Sequence, residues 1–385
     1  MSMTVVEGAR TAHRDGVVRW ADVGDLVLES GVLLPGVRLA FETWGELNAD
    51  GSNAVLVEHA LTGDSHVTRG TAAEHTPEDV FDPAAADGWW DGLVGPGAAI
   101  DTEKYFVVCA NILGGCFGST GPASPARDGA PWGSRFPRIT VRDTVAAEAR
   151  LADVLGVRAW RLVVGGSMGG VRALEWAVTC PERVEACAVI AANARVGAEQ
   201  LAWGQAQTLA IRQDPCFRGG DYYGGPYPEA GLGLARRIAH ITYRSAPELQ
   251  TRFGRAPQGR EDPEYAKEAG RGRYTVESYL DHQASKIVER FDANSYLSVN
   301  ETLMSHDVAR GRGDLRTALA RTRCEWLVAA VDSDRLFYPS ESAELVAALP
   351  GEQELHMITS PSGHDGFLIE TPQVGRLLHR TVLRD

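Results

Sequence analysis

The chain has 385 residues, room for one large domain with an insertion or for two domains, and enough to bury a sizeable core without staples. Hydrophobic residues make up 44% and charged residues 23%, which is ordinary for a globular protein and argues against a disordered chain. The formal net charge of −13 argues against nucleic acid as a partner, since phosphate binding needs a basic face. None of the six cysteines, Cys109, Cys116, Cys180, Cys187, Cys216 and Cys324, stands in a C-x-x-C pair, so neither a zinc knuckle nor a thioredoxin-like motif is expected. Charges run through Met1 to Asp25 with no apolar segment, so no signal peptide is expected there. No apolar run is long enough to span a bilayer, and a cytoplasmic location is the default expectation.

Along the chain, Asp25–Glu29 and Val37–Glu42 alternate as half-buried strands do, with Pro35-Gly36 between them as a turn. Asn53–Val57 and Tyr105–Cys109 are continuous apolar runs, the pattern of strands covered on both faces. Asp143–Leu155 reads as a helix, with Asp143 as N-cap and Gly156 as the residue that ends it. Strand Trp160–Val164, helix Val171–Val178 and strand Val184–Ile190 follow. This alternation predicts a mostly parallel sheet with helices on both faces. After about Ala191 the pattern turns to helices and polar loops. Tyr274–Arg290 and Asn294–His306 are helix candidates, and Arg252–Arg273 reads as an exposed loop. Alternation resumes with strand Glu325–Val331, helix Ser340–Leu349, strand Leu355–Thr359 and a last helix from His364–Phe367 toward Val382. The expected organisation is an α/β core over residues 1–195 and 311–385, interrupted by a helical lid over 196–310.

Gly165-Gly-Ser-Met-Gly169 matches G-x-S-x-G, directly after a predicted buried strand and directly before a predicted helix. In that context the pattern is a nucleophile elbow: Ser167 sits on a strained turn, and the flanking glycines avoid collision across it. The helix N-terminus puts the Met168 N–H where it can hold a developing oxyanion. These features predict an α/β-hydrolase fold and a Ser-acid-His chain order. His364, in Ser362-Gly-His-Asp-Gly-Phe367 after the last core strand, is the candidate base. Asp332 and Asp334, after Trp326–Val331, are both candidates for the acid, and patterning leaves the choice open. The second oxyanion donor is expected from His59-Ala-Leu-Thr-Gly63, at the Leu61 N–H. The bland alternatives are a Gly-rich turn with an incidental serine, a helix-entry histidine and helix-capping aspartates.

The chain as a whole resembles the homoserine O-acetyltransferase family. The resemblance is carried by Phe41–Asn48 (FETWGELN), His59–His66 (HALTGDSH), Asn111–Pro122 (NILGGCFGSTGP) and Val163–Gly170 (VVGGSMGG). Ala235–Tyr243 (ARRIAHITY), Arg290–Tyr296 (RFDANSY), Ser333–Phe337 (SDRLF) and Gly363–Leu368 (GHDGFL) continue it in order. The pattern departs at Glu58 and Phe117, an acid and an aromatic where uncharged and polar residues are usual. The resemblance implies Asp334 as the acid and His364 as the base. It further implies Arg236 and Asp365 as substrate-binding residues, with Arg237 an alternative to Arg236 and Tyr243 a substrate or supporting contact. Homoserine carries an α-carboxylate and an α-amino group, which a guanidinium and a carboxylate recognise by charge-assisted bonds.

The implied reaction moves an acetyl group from acetyl-CoA to the γ-hydroxyl of L-homoserine through a Ser167 acyl-enzyme, with small molecules as the only partners and a homodimer as the assembly. Acetyl-CoA enters as a substrate; no metal or redox cofactor is expected. Three alternatives share the elbow: succinyl in place of acetyl, serine in place of homoserine, and an esterase or thioesterase that uses water. A non-catalytic binding protein on the same fold is a further alternative, against which the intact Ser-Asp-His order argues.

Overall fold

The computed structural model describes residues 14–71, 82–259, 264 and 272–384. About half of the N-terminal stretch Met1 to Asp25 and much of the predicted loop at 252–273 lie outside them. A single eight-stranded sheet organises the chain. Its strands are β1 (Arg19–Val27), β2 (Leu33–Trp44), β3 (Ala54–Glu58), β6 (Phe106–Ala110), β7 (Leu162–Gly166), β8 (Ala186–Ile190), β9 (Glu325–Val331) and β10 (Leu355–Ile358). The pair β4 (Val94–Gly95) and β5 (Ile100–Asp101) forms a separate small ladder. In space the order is β1-β2-β6-β3-β7-β8-β9-β10. The β1–β2 and β2–β6 pairs are antiparallel, and every pair from β6 to β10 is parallel.

The apolar runs are strands because they are buried from both sides. In β3, Val55 and Val57 pack into one hydrophobic layer and Leu56 into the other. Val163 opposes Leu162 and Val164 in the same way in β7. One layer is closed by helices α1 (Val141–Leu155), α2 (Met168–Thr179) and, through Leu345, α9 (Pro339–Ala348). The other is closed by Trp90, Phe367 and helix α11 (Thr371–Thr381) through Val374 and Leu378. Between β8 and β9 come α3 (Ala198–Arg212), α4 (Glu229–Tyr243), α5 (Ala246–Arg252), α6 (Thr275–Arg290), α7 (Ala293–Met304) and α8 (Leu315–Leu319). α10 (Gly366–Ile369) follows β10.

Several local expectations need correction. Pro35-Gly36 is not the turn between the first strands; it lies inside β2, opposite an irregularity in β1 around Gly24. The chain reverses instead at Leu28–Val32, closed by two backbone bonds between and around those residues, with Gly31 at φ 83°. Asp143 is not the N-cap of α1. Thr140 is, and Asp143 at the third helical position returns its carboxylate to the Thr140 N–H, a capping box. Gly156 does end that helix in the left-handed conformation at φ 76°. Trp160 and Val184 precede their strands and meet each other in an isolated bridge. α2 begins at Met168, three residues before the pattern indicated, and the C-terminal helix breaks at Glu370, ahead of Pro372.

Candidate active site

The C-terminal ends of β3, β7, β9 and β10 carry Leu61, Ser167, Asp332, Asp334, His364 and Asp365, as expected where parallel strands open into their loops, while Arg236, Arg237 and Tyr243 lie on α4. Ser167 joins β7 to α2 at φ 59°, ψ −128°, a strained conformation for a residue with a side chain. The glycines around it are sterically required. A Cβ on Gly165 would lie 2.4 Å from the Gly169 carbonyl carbon, and one on Gly169 would lie 2.0 Å from the Glu58 carbonyl oxygen. Ser167 itself is anchored through its N–H to the Ile190 carbonyl at 2.9 Å.

His364 lies in the tight turn Gly363–Asp365 after β10 and is 3% exposed. Its Nδ1 meets Asp334 Oδ2 at 2.6 Å, so Nδ1–H donates to the carboxylate. The other Asp334 oxygen accepts the N–H groups of Leu336 at 2.8 Å and Phe337 at 3.0 Å, which fixes the carboxylate's orientation. Asp332 is engaged elsewhere. It accepts the Ser360 N–H at 3.0 Å and ties the β9 loop to the β10 loop. The geometry thus separates two aspartates that patterning could not. Burial opposes charge on the His364 ring, but the Asp334 carboxylate outweighs it and holds the imidazole above its ordinary value. The His364 Nε2 is buried and lacks a hydrogen-bond partner among the described residues. The ring stacks on Phe337 at 5.2 Å and lies 6.0 Å from Tyr243, and both of those residues line the pocket that Ser167 enters.

That pocket is also lined by Leu61, Gln200, Trp203, Gln207, Met304 and Leu336, so α3 and α7 supply much of its wall. Leu61 is the first corner of a β-turn closed by the Gly63 N–H on the Ala60 carbonyl at 2.9 Å. The turn itself does not use the N–H at that corner. Met168 opens α2, where the N–H has no intrahelical acceptor.

Arg236 and Arg237 on α4 face different ways. Arg237 pairs with Asp281 of α6 at 2.7 Å. Arg236 reaches Thr62 Oγ1 at 3.2 Å, lies 5.7 Å from the Tyr243 ring centre, and has a buried Nε without a partner among the described residues. Asp365 is paired with Arg244 at 3.0 Å. Its pKa is raised because burial outweighs the cations Arg244, His364 and Arg236 around it. Sequence reasoning missed Arg244, Thr62 and Arg290; the last donates to the Thr62 carbonyl at 2.7 Å. Arg290 and Thr62 carried a signal, each standing inside a matching block, whereas Arg244 falls just past the end of one.

A serine on a strained strand–helix turn with a buried His–Asp pair beyond it defines a nucleophile-bearing protein of the α/β-hydrolase fold, and the model of that fold family matches residues 53–371. A homoserine O-acetyltransferase of Thermobifida fusca is 55% identical over 96% of this chain and 94% of its own length. The chain belongs to the homoserine O-acetyltransferase family. Among solved structures, that of a homoserine O-acetyltransferase from Bacillus anthracis superposes with a TM-score of 0.85 at 28% identity, covering 97% of this chain and 99% of that one. An acetylester hydrolase from Corynebacterium glutamicum gives 0.78 at 27% identity, with 96% of each chain covered. Among the described residues, no helix is long and apolar enough to cross a membrane.

Proposed function

We propose that this chain transfers an acetyl group from acetyl-CoA to the γ-hydroxyl of L-homoserine by double displacement, the acyl-transfer step of methionine biosynthesis. His364, oriented by Asp334, takes the Ser167 proton while Ser167 Oγ attacks the thioester carbon. The Leu61 and Met168 N–H groups hold the oxyanion. The C–S bond breaks, and the proton passes from His364 to the departing thiolate. Homoserine then enters, its carboxylate on Arg236 and its ammonium on Asp365, with Tyr243 packed beside Arg236 and His364. His364 takes the γ-hydroxyl proton, the hydroxyl oxygen attacks the acyl carbon, and the proton returns to Ser167 as the ester leaves.

The observation that carries this reading is the placement of a guanidinium with a spare donor, Arg236, and a paired carboxylate, Asp365, around the buried His364–Asp334 dyad. An esterase has no need of an amino-acid clamp. Acetyl is favoured over succinyl because none of the residues lining the Ser167 pocket is cationic, and a second carboxylate would be buried there unpaired. The core of residues 1–195 and 311–385, with 196–310 as a lid, fits a site walled by α3, α4 and α7. A homodimer and a cytoplasmic setting complete the reading.

The similarity to an acetylester hydrolase motivates the second reading, in which water replaces homoserine. A matrix of acyl-CoA donors and amino-alcohol acceptors, with product mass measured, separates the two. O-acetylhomoserine as the dominant product supports transfer; acetate formed at a rate indifferent to homoserine defeats it.

A further inference from the structure

The turn Ala60–Gly63 is held by donors on nearly every side. The His59 carbonyl faces Arg172 Nη1 at 3.5 Å, from α2 below. The Ala60 carbonyl accepts the Gly63 N–H, and also His59 Nδ1–H at 2.7 Å. The His59 ring is itself locked, because its Nε2 accepts the Ile112 N–H at 3.0 Å and burial pushes its pKa down to about 3. The Thr62 carbonyl, next in the chain after the proposed oxyanion donor Leu61, has a different kind of holder. It accepts Arg290 Nη2 at 2.7 Å, from the C-terminal end of α6 and 228 positions away along the chain. That guanidinium is braced. Its Nη1 lies 3.8 Å from Asp64, and its carbon lies 5.6 Å from the centre of the Phe117 ring, which in turn packs edge-on against Phe291.

We propose that Arg290 is a positioning residue that reaches from α6 to the Thr62 carbonyl and fixes the Ala60–Gly63 turn so that the Leu61 N–H stays aimed at the acyl oxygen. This rests on Leu61 being an oxyanion donor. The Thr62 carbonyl shares its peptide plane with the Gly63 N–H, which closes the turn on the Ala60 carbonyl, and the Ala60 carbonyl shares its own plane with the Leu61 N–H. Rotation at Thr62 would loosen that closure and let the Leu61 N–H wander. The Arg290–Thr62 bond restrains that rotation and links the oxyanion turn to the helices between β8 and β9. Arg290 is already engaged by Thr62, Asp64 and Phe117, whereas Arg236 retains a buried Nε without a partner among the described residues. Arg236 is therefore the better carboxylate anchor, and Arg290 the better brace.

The two roles predict different kinetics. An oxyanion forms in both half-reactions, but homoserine is present only in the second. Loss of one oxyanion donor lowers rates about 10²–10³-fold, and a donor that remains but wanders should cost less, on the order of 10-fold. Arg290→Ala is therefore expected to slow Ser167 acylation and its deacylation by similar factors, with the homoserine KM little changed. Arg290→Lys should recover part of both rates, since an ammonium can still donate to the carbonyl. Arg290 is partly exposed, so folding is expected to survive, and the thermal midpoint checks it. A second pair of variants isolates the premise. Leu61→Pro removes the N–H and fixes the local φ at a turn corner where proline is favoured, Leu61→Ala is its side-chain control, and the thermal midpoint checks that the turn survives. If Leu61→Pro matches Leu61→Ala, the donor assignment itself fails. If Leu61→Pro is slow and Arg290→Ala adds nothing to it, the brace acts through that N–H. Full additivity, an effect confined to the homoserine step, or unchanged rates in Arg290→Ala would each overturn the proposal.

Discussion

Asp365 Oδ2 sits 3.0 Å from Arg244 Nη2, so the carboxylate proposed to receive the substrate's ammonium is shared with a protein cation. Arg244 is in turn held by Glu248 at 3.1 Å. Burial drives the Asp365 pKa up, and Arg244 is the largest influence pulling it back toward the ionised form. Arg244→Gln should therefore leave Asp365 more readily protonated. The homoserine KM should rise as pH falls, and the rise should begin at a higher pH than in the wild type. Acylation of Ser167 involves no ammonium and should change little. Steady-state KM measured as pH is lowered from about 8 toward the ordinary carboxylate range at about 4 checks this. An unchanged KM profile would mean that Asp365 does not bind the amine.

The acid and base make a second prediction. Asp334→Asn should lower kcat by about 10³–10⁴-fold, as loss of the histidine's orienting partner does in serine triads. Asp332→Asn should do far less, because Asp332 holds a loop N–H and not the imidazole. Ser167 attack needs neutral His364, and Asp334 raises the pKa of that ring. Acylation should therefore fall as pH drops through a midpoint above about 6.5, the unperturbed histidine value. In Asp334→Asn the residual rate should fall at a lower pH. The sign for stability is opposite: the His364–Asp334 contribution is fully present below the unfolded histidine pKa and is lost as pH rises through the raised one. Single-turnover acylation rates across pH, alongside thermal midpoints, read both.

The core strands were legible because each lies inside two apolar layers, and β9 was found to its ends as Glu325–Val331. The elbow, His364 and the β9 loop were legible for the same local reason: each is a short signal attached to a strand end. Patterning could not choose between Asp332 and Asp334, since the choice depends on which carboxylate meets a ring 30 residues on; only the resemblance implied Asp334. Pro35-Gly36 misled because proline and glycine can sit opposite a strand irregularity as well as in a turn. Arg244, Thr62 and Arg290 could not be read from periodicity. Arg244 meets Asp365, and Arg290 meets Thr62, only after the helices between β8 and β9 fold back over the sheet.

Under the elbow, Arg172 of α2 is wholly buried with two carboxylates, 2.5 Å from Glu58 and in contact with Glu148, which also accepts the Trp176 indole N–H at 2.8 Å. Burial raises the Glu58 pKa well above the carboxylate range, against the pull of Arg172. A carboxyl that keeps its proton only when folded makes stability fall as pH rises above its unfolded value of about 4.3. Glu58→Gln should therefore be tolerated, raise stability at neutral pH and flatten that fall. Arg172→Met should cost about 3–5 kcal/mol, because it leaves Glu148 buried without its cation. Urea midpoints at several pH values check both. A Glu58→Gln protein destabilised as much as Arg172→Met would show that Glu58 is charged in the fold.

The final prediction separates a transferase from a hydrolase. If Arg236 holds the homoserine carboxylate, Arg236→Ala should spare the first half-reaction and damage the second. Acetylation of Ser167 requires no amino acid, and the bond Arg236 now makes, to Thr62 Oγ1 at 3.2 Å, is a long one whose loss should disturb the turn little. Transfer to homoserine should fall because a charge-assisted contact is lost and the carboxylate is left unpaired near Tyr243. A loss of about 2–3 kcal/mol corresponds to roughly a 30- to 150-fold drop in kcat/KM for homoserine. Arg236→Lys should recover only part, since an ammonium cannot form the planar bidentate pair. Arg237→Ala is the internal control: that side chain is occupied with Asp281 on α6 and should matter little to either step. The decisive measurement acylates each variant with acetyl-CoA, adds homoserine or buffer alone, and follows loss of the acyl-enzyme by intact mass. Deacylation of Arg236→Ala by homoserine should slow toward the rate in buffer, while the buffer rate itself stays near wild type. Deacylation by homoserine at the wild-type rate would leave Arg236 without a carboxylate to hold and would move the case toward water as the acceptor.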